Sequence, residues 1–150
     1  MPHIVCLIQH YHTPDCATAA RPYSLIQRLS KNHEVTLITT DAWRARRHTR
    51  RFERVPSNVR LIEYPVPYRN EMRPTGRVLA FARFAARAMV DGVLARRPDV
   101  VFATSTPLST GLAGALVARW HGVPWVFEVR DLWPDFPIQM GAVPSSTLQR

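Results

Sequence analysis

Residues 123–141 read VPWVFEVRDLWPDFPIQMG, and this stretch decides the fold. Val123 to Val129 is an apolar run of β-branched and aromatic residues, the composition of a strand buried on both faces of a parallel sheet. It gives way to Glu128, Arg130 and Asp131, then to an aromatic, proline-rich turn. A carboxylate near the end of a buried strand is costly unless paired, so Glu128 needs a partner. The two-residue period of a strand puts Glu128 and Arg130 on one side, with Asp131 where strand becomes loop. Charges at the carboxyl end of a strand in an open α/β sheet lie where such sheets bind ligands. Two readings stand: a ligand-facing rim, or an internal ion pair that closes the sheet edge.

Working outward, the rest of the chain supplies a sheet for this strand. His3 to Gln9 reads as a short buried strand, followed by a loop from His10 to Cys16. Thr18 to Leu29 reads as a helix with Leu25, Ile26 and Leu29 toward the core, and Glu34 to Thr39 as the next strand. That is the opening βαβ unit of a doubly wound sheet. Val59 to Tyr64 is a third strand, after which Pro65, Pro67 and Pro74 hold an extended connection. Thr75 to Arg97 is the longest helix, capped by Thr75 and ended by Pro98, with Val78, Ala82, Ala85, Met89 and Val93 as its apolar face. Its opposite face carries Arg77, Arg83, Arg87 and Asp91, with Phe84 and Leu94 among them. An aromatic among arginines suits contact with anionic lipid headgroups, and equally suits packing beneath a neighbouring loop. Asp99 to Ala103 is the fourth strand. Ser105 or Thr106 then caps a helix from Leu108 to His121, with Pro107 in its first turn. The N-terminus of that helix is an anion site in outline, although capping alone accounts for its hydroxyls. Gly111 and Gly114 let it lie close to the sheet, and Gly122 ends it.

The order is therefore β-α-β-loop-β-α-β-α-β: an α/β, Rossmann-like parallel sheet with helices on both faces. At 150 residues the chain fits one domain with a real core. Its formal charge is +9, carried by nineteen arginines and the single lysine Lys31. Arg44, Arg46, Arg47, Arg50, Arg51 and Arg54 crowd one run from Asp41 to Arg54, interleaved with Trp43, His48 and Phe52. Such a run can bind an anionic membrane or a nucleic-acid backbone, or can simply be a solvated loop. No apolar run is long enough for a membrane span, and Met1 to Gln9 lacks the basic start and length of a signal peptide, so the expectation is a cytoplasmic domain. Cys6 and Cys16 read as free thiols. They and His10 and His12 lack the spacing of a metal site, and no metal or cofactor is expected. The segment after the first strand, HYHTPDCATAAR, contains no glycine, which argues against a dinucleotide-binding fingerprint.

Three segments together resemble one family: AARPYSLIQRLSKNHEVTLITT from Ala19 to Thr40, ATSTPLSTGLAG from Ala103 to Gly114, and GVPWVFEVRDLWPDFPIQMGAV from Gly122 to Val143. They are similar, in colinear order, to the N-terminal domain of family-4 glycosyltransferases. Within it, the nearest likeness is to bacterial enzymes of surface-polysaccharide or O-antigen synthesis, including N-acetyl-fucosamine transferases. The resemblance implies residues 1–150 to be the acceptor-side half of a two-domain GT-B fold. It also implies retaining, metal-independent transfer from a nucleotide sugar to a saccharide or a polyprenyl-diphosphate-linked acceptor. Carried over by position, Asp131 contacts a sugar hydroxyl or positions the acceptor, and Arg130 pairs with Glu128 or contacts phosphate. Arg21 matches a basic position where a ligand phosphate would offset the helix dipole. Ser105 and Thr106 match the loop after the fourth strand.

A peripheral contact at the inner membrane face would fall to Arg44, Arg47 and Arg51 of the basic run and to Arg83, Phe84 and Arg87 of the long helix. Two departures accompany the likeness. Asp15, Cys16, Ala17 and Thr18 stand where relatives carry a glycine-rich turn, which narrows the approach for a donor. The chain also stops at Arg150, ahead of the last strands of this domain and the donor domain, so the expectation is a fragment inactive alone. The competing function is a stand-alone anion-binding module, for membrane or nucleic acid, using the Arg44–Arg54 run.

Overall fold

The computed structural model describes residues 1–14, 21–41, 55–66, 72–105 and 107–130. These form β1 (His3–Leu7), α1 (Arg21–Leu29), β2 (Glu34–Thr40), β3 (Val59–Tyr64), α2 (Pro74–Leu94), β4 (Val100–Thr104), α3 (Ser109–His121) and β5 (Trp125–Glu128). The strands make one sheet in the order β3-β2-β1-β4-β5, with every pairing parallel. Alternation along β1 divides the core in two. Val5 and Leu7 join Ile38, Val101 and Ala103 beneath Phe84 and Val117, on the face that α2 and α3 cover. Ile4, Cys6 and Ile8 join Val35 and Leu37 against Ile26, on the face of α1. Burial pushes the Cys6 thiol up to about 12, so it behaves as an inert apolar side chain. The chain leaves β1 toward β2 over one face and leaves β4 toward β5 over the other. The carboxyl ends of β1 and β4 thus flank the point where the winding reverses, the usual crevice of an open α/β sheet.

Two small-residue contacts set the height of α3 above the sheet. A Cβ on Gly114 would stand 2.8 Å from the Cβ of Ala103 and 2.9 Å from Nε1 of Trp125, and one on Gly111 2.8 Å from Phe127. The Ala103 Cβ is fixed by its strand, so it cannot yield as a side-chain tip would. Alanine gains about 1 kcal/mol over glycine in a helix interior, but overpacking costs about 1–3 kcal/mol. Gly114→Ala is therefore expected to lower stability, as a fall in urea midpoint with an unchanged m-value. At its other end α3 stops at Gly122, whose φ of 64° is the left-handed cap that glycine adopts without strain.

The long helix corrects the expectations in two respects. It spans Pro74–Leu94 with Arg73 at the flanking position and no side-chain cap, so Thr75 lies within the first turn and does not cap it. Its core face is also shifted: Ala85, Met89 and Val93 pack against the core as expected, though only partly buried, while Val78 and Ala82 do not. Ala80, Phe84 and Ala88 are buried, with Phe84 0% exposed, whereas Val78 is 65% exposed. Phe84 therefore cannot touch a membrane: it is the largest fully buried side chain, seated in the core cluster with Leu7, Val101 and Val117. The physical reason is size. Ala80, Ala88 and Gly92 share its i+4 row and let the helix backbone come close, and the ring fills the space left between small residues. Gly92 meets α3 so closely that a Cβ there would lie 2.7 Å from Val117.

The strand that organised the sequence reading is shorter and barer than expected. β5 begins at Trp125, and Trp125 and Val126 are 42% and 50% exposed. Among the described residues it pairs only with β4, and α3 covers one face through Phe127. It is an edge strand here, not one buried on both faces.

Candidate functional site

The carboxyl ends of β4 and β5 are tied together by side chains as well as by the ladder. Thr104 is in register with Glu128, and its buried hydroxyl lies 3.0 Å from the Glu128 Oε2 and 2.9 Å from the Ser105 carbonyl, sharing one proton between them. The Ser105 N–H donates to the Glu128 carbonyl at 2.9 Å, and the Arg130 N–H donates to the Ser105 Oγ at 2.8 Å. Ser105 thus continues the parallel pairing one step beyond the strands, as far as Arg130. This also corrects its expected role. The hydroxyl holds β5, and α3 begins at Ser109 with Leu108 flanking and no side-chain cap.

Glu128 finds its partner across the rim. Its second oxygen pairs with Arg21 at the start of α1, so the awkward carboxylate and the awkward cation account for each other. An arginine at a helix N-terminus opposes the dipole, and the carboxylate beside it offsets that cost. The expected Glu128–Arg130 pair is replaced by Glu128–Arg21. The Arg21 side chain is 70% exposed, so this pair contributes little stability. Its effect is positional, joining α1 to the end of β5.

The segment after β1 completes the rim. Burial, the neighbouring His12 and the positive charge of Arg130 together hold His10 down to about 4, so its imidazole is neutral at neutral pH. Its ring lies nearly parallel to that of His12, with centroids 6.3 Å apart. The positive charge of Arg130 is thus felt at His10. Gln9 is 1% exposed, its carbonyl accepting hydrogen bonds from the hydroxyls of Thr39 and Thr40. Among the described residues, both ends of its amide lack a partner, as do the hydroxyls of Ser109 and Thr110 in the first turn of α3. Sequence reasoning missed Gln9 and His10 as site residues. The available signal was their place, the last positions before the chain leaves β1 at the reversal of winding. Among the described residues no group of His, Cys, Asp or Glu side chains is placed to hold a metal.

Of the residues singled out by sequence, the structure brings Arg21, Ser105, Glu128 and Arg130 together on this rim. Arg83 and Arg87 lie exposed on α2, away from it, with Arg87 stacked 5.4 Å over the Tyr64 ring. Asp131, Thr106, Arg44, Arg47 and Arg51 lie outside the described residues, as does the loop from Asp15 to Thr18.

The model of the glycosyl transferase 4-like domain matches residues 16–149. The chain belongs to this family. Membership supports glycosyl transfer as the general chemistry of the domain. No match was found among curated proteins. Among solved structures, the C-terminal domain of a hydrogenase from Pyrococcus furiosus is similar in fold, with a TM-score of 0.57 and 18% identity over 85% of this chain and 91% of that one. A second structure of that hydrogenase domain gives 0.56 at 15% identity, with the same coverage. At such identities the likeness concerns the α/β fold alone. Among the described residues of the glycosyltransferase domain, no helix is long and apolar enough to cross a membrane.

Proposed function

We propose that this glycosyltransferase domain is the acceptor-binding half of a retaining, metal-independent enzyme that uses a nucleotide-sugar donor in cell-surface polysaccharide or glycolipid synthesis. The observation that supports it most is the convergence of Arg21, Ser105, Glu128, Arg130 and neutral His10 at the reversal of the sheet. In this reading Asp131 accepts a hydrogen bond from an acceptor hydroxyl. Arg130 supplies positive charge for an acceptor diphosphate, while Glu128 keeps Arg21 oriented. The opposing wall, with the nucleotide sugar, is proposed to come from a separate domain, so the 150-residue chain alone would not transfer sugar. The work of this half is positioning, which in well-oriented reactions accounts for a large part of the barrier reduction.

The test is binding of a short-chain prenyl-diphosphate sugar followed by calorimetry. Asp131→Ala and Arg130→Ala are each expected to weaken binding about tenfold, equivalent to about 1.4 kcal/mol, with thermal midpoints little changed. Unaltered affinity in both variants would remove the rim from the reaction.

A further inference from the structure

We propose that Glu128 is a stand-in for a ligand phosphate: its carboxylate holds Arg21 before the ligand arrives and gives Arg21 up when a diphosphate-bearing acceptor binds. This rests on the reading of the rim as an acceptor site and adds a gate to it. The two partners are held unequally. Glu128 lies in register with Thr104, and its Oε2 accepts a hydrogen bond from the buried Thr104 hydroxyl at 3.0 Å. Its backbone carbonyl accepts from the Ser105 N–H at 2.9 Å. These contacts keep the carboxylate in place with or without Arg21. The Arg21 side chain is 70% exposed, and among the described residues its guanidinium is held by Glu128 alone. The arginine is therefore the member that swings.

The energetics favour an exchange. An ion pair this exposed contributes little to the fold, so breaking it costs little. A diphosphate carries more negative charge than a carboxylate and more acceptor oxygens, and the guanidinium fork engages such oxygens in pairs. Arg21 opens α1, which has no acid in its first turn, so an anion beside Arg21 also meets the positive end of the helix dipole. Glu128 supplies that negative charge in the pair, and the ligand takes over both tasks. Arg130 brings a second cation to the same end of β5, its backbone held at 2.8 Å by the Ser105 hydroxyl. Arg21 and Arg130 attract an anionic ligand, whereas Glu128 repels it and competes for Arg21. Removing the Glu128 charge should therefore strengthen binding. A carboxylate that served only to clip α1 to β5 predicts the opposite sign.

Calorimetry with a short-chain prenyl-diphosphate sugar on the parent, Glu128→Gln and Arg21→Gln chains tests this. Glutamine keeps an oxygen for the Thr104 hydroxyl, so Glu128→Gln should unfold at a temperature near that of the parent. It is expected to bind about fivefold more tightly at low salt, and the gain should fade as salt is raised. Arg21→Gln is expected to bind more weakly, and Glu128→Gln added to it should give a smaller gain, because no arginine remains to be released. In the parent itself, the Arg21 Nε–H resonance should move when the prenyl-diphosphate sugar is added. Equal or weaker binding by Glu128→Gln, or an unmoved Arg21 resonance in a parent that binds, would overturn the gate and leave the acceptor site standing. Binding by neither the parent nor Glu128→Gln would overturn the acceptor site, and the gate with it.

Discussion

Phe84→Ala is expected to destabilise the folded chain by about 3–5 kcal/mol, the usual range for a phenylalanine removed from a close-packed core. Domains of this size have only about 5–15 kcal/mol in total, so the variant should unfold at much lower urea or populate the unfolded state at equilibrium. The size of the effect follows from the neighbours. The ring is 0% exposed, between Ala80 and Ala88 on its own helix and against Leu7, Val101 and Val117. Alanines and strand residues cannot move in to fill the space, so most of the cavity remains. Val78→Ala, on the face that periodicity alone would bury, is expected to cost less than about 0.5 kcal/mol because Val78 is 65% exposed. Chemical denaturation of the two variants separates the two assignments of the core face. Equal losses, or a larger loss for Val78→Ala, would return the helix to the orientation read from sequence.

The second large effect concerns pH. His10 is held down from 6.5 to about 4 by burial first, then by His12 and Arg130. In the unfolded chain the imidazole takes up a proton near its ordinary value, whereas in the folded chain it does so only near 4. The unfolded state therefore binds more protons across that interval, and stability falls as pH drops from about 6.5 toward 4. Over the full interval the loss from this group approaches about 3 kcal/mol, and above about 6.5 it makes no pH-dependent contribution. His10→Gln removes the titrating ring, so its stability should decline less steeply over the same window. Urea denaturation at a series of pH values measures the difference. Parallel curves for parent and variant would mean that His10 titrates normally, and hence that burial and the neighbouring charges do not act on it. A neutral His10 also suits a rim that binds phosphate, because its ring can donate or accept a hydrogen bond without altering the local charge.

The strands were legible because each is a short apolar run closed by a polar or proline-containing turn. Val59–Tyr64 was read with its observed limits, and β1 and β2 within one or two residues. The close seat of α3 was legible too, since Gly111 and Gly114 lie three apart on a helix that must cross a strand. The orientation of α2 was legible only in part: Ala85, Met89 and Val93 do pack against the core, but Phe84 at its centre was read onto the outer face. Val78, Leu79, Val90 and Leu94 spread apolar residues around the helix, so hydrophobicity alone could not mark the inner face. Residue size marked it instead, through the small positions on either side of Phe84. The partner of Glu128 was hidden for a different reason. Arg21 stands more than a hundred positions earlier, and only the folded sheet brings the start of α1 to the end of β5. Arg130, two residues away, was the natural local candidate, but the two carboxylate oxygens are taken by Arg21 and the Thr104 hydroxyl. The rim as a place was thus readable from topology, while its pairings came from distance.

The most direct test of the account is a heteronuclear NMR titration of the chain with a short-chain prenyl-diphosphate sugar. The expected result is a cluster of amide shifts at His10, Arg21, Ser105 and Arg130, with residues at the amino ends of the strands, such as His3 and Val100, unmoved. The nucleotide sugar alone should leave the same rim largely unchanged. Shifts confined to the opposite end of the sheet, or a rim that responds to the nucleotide sugar and not to the acceptor, would contradict the assignment of this face as the acceptor site.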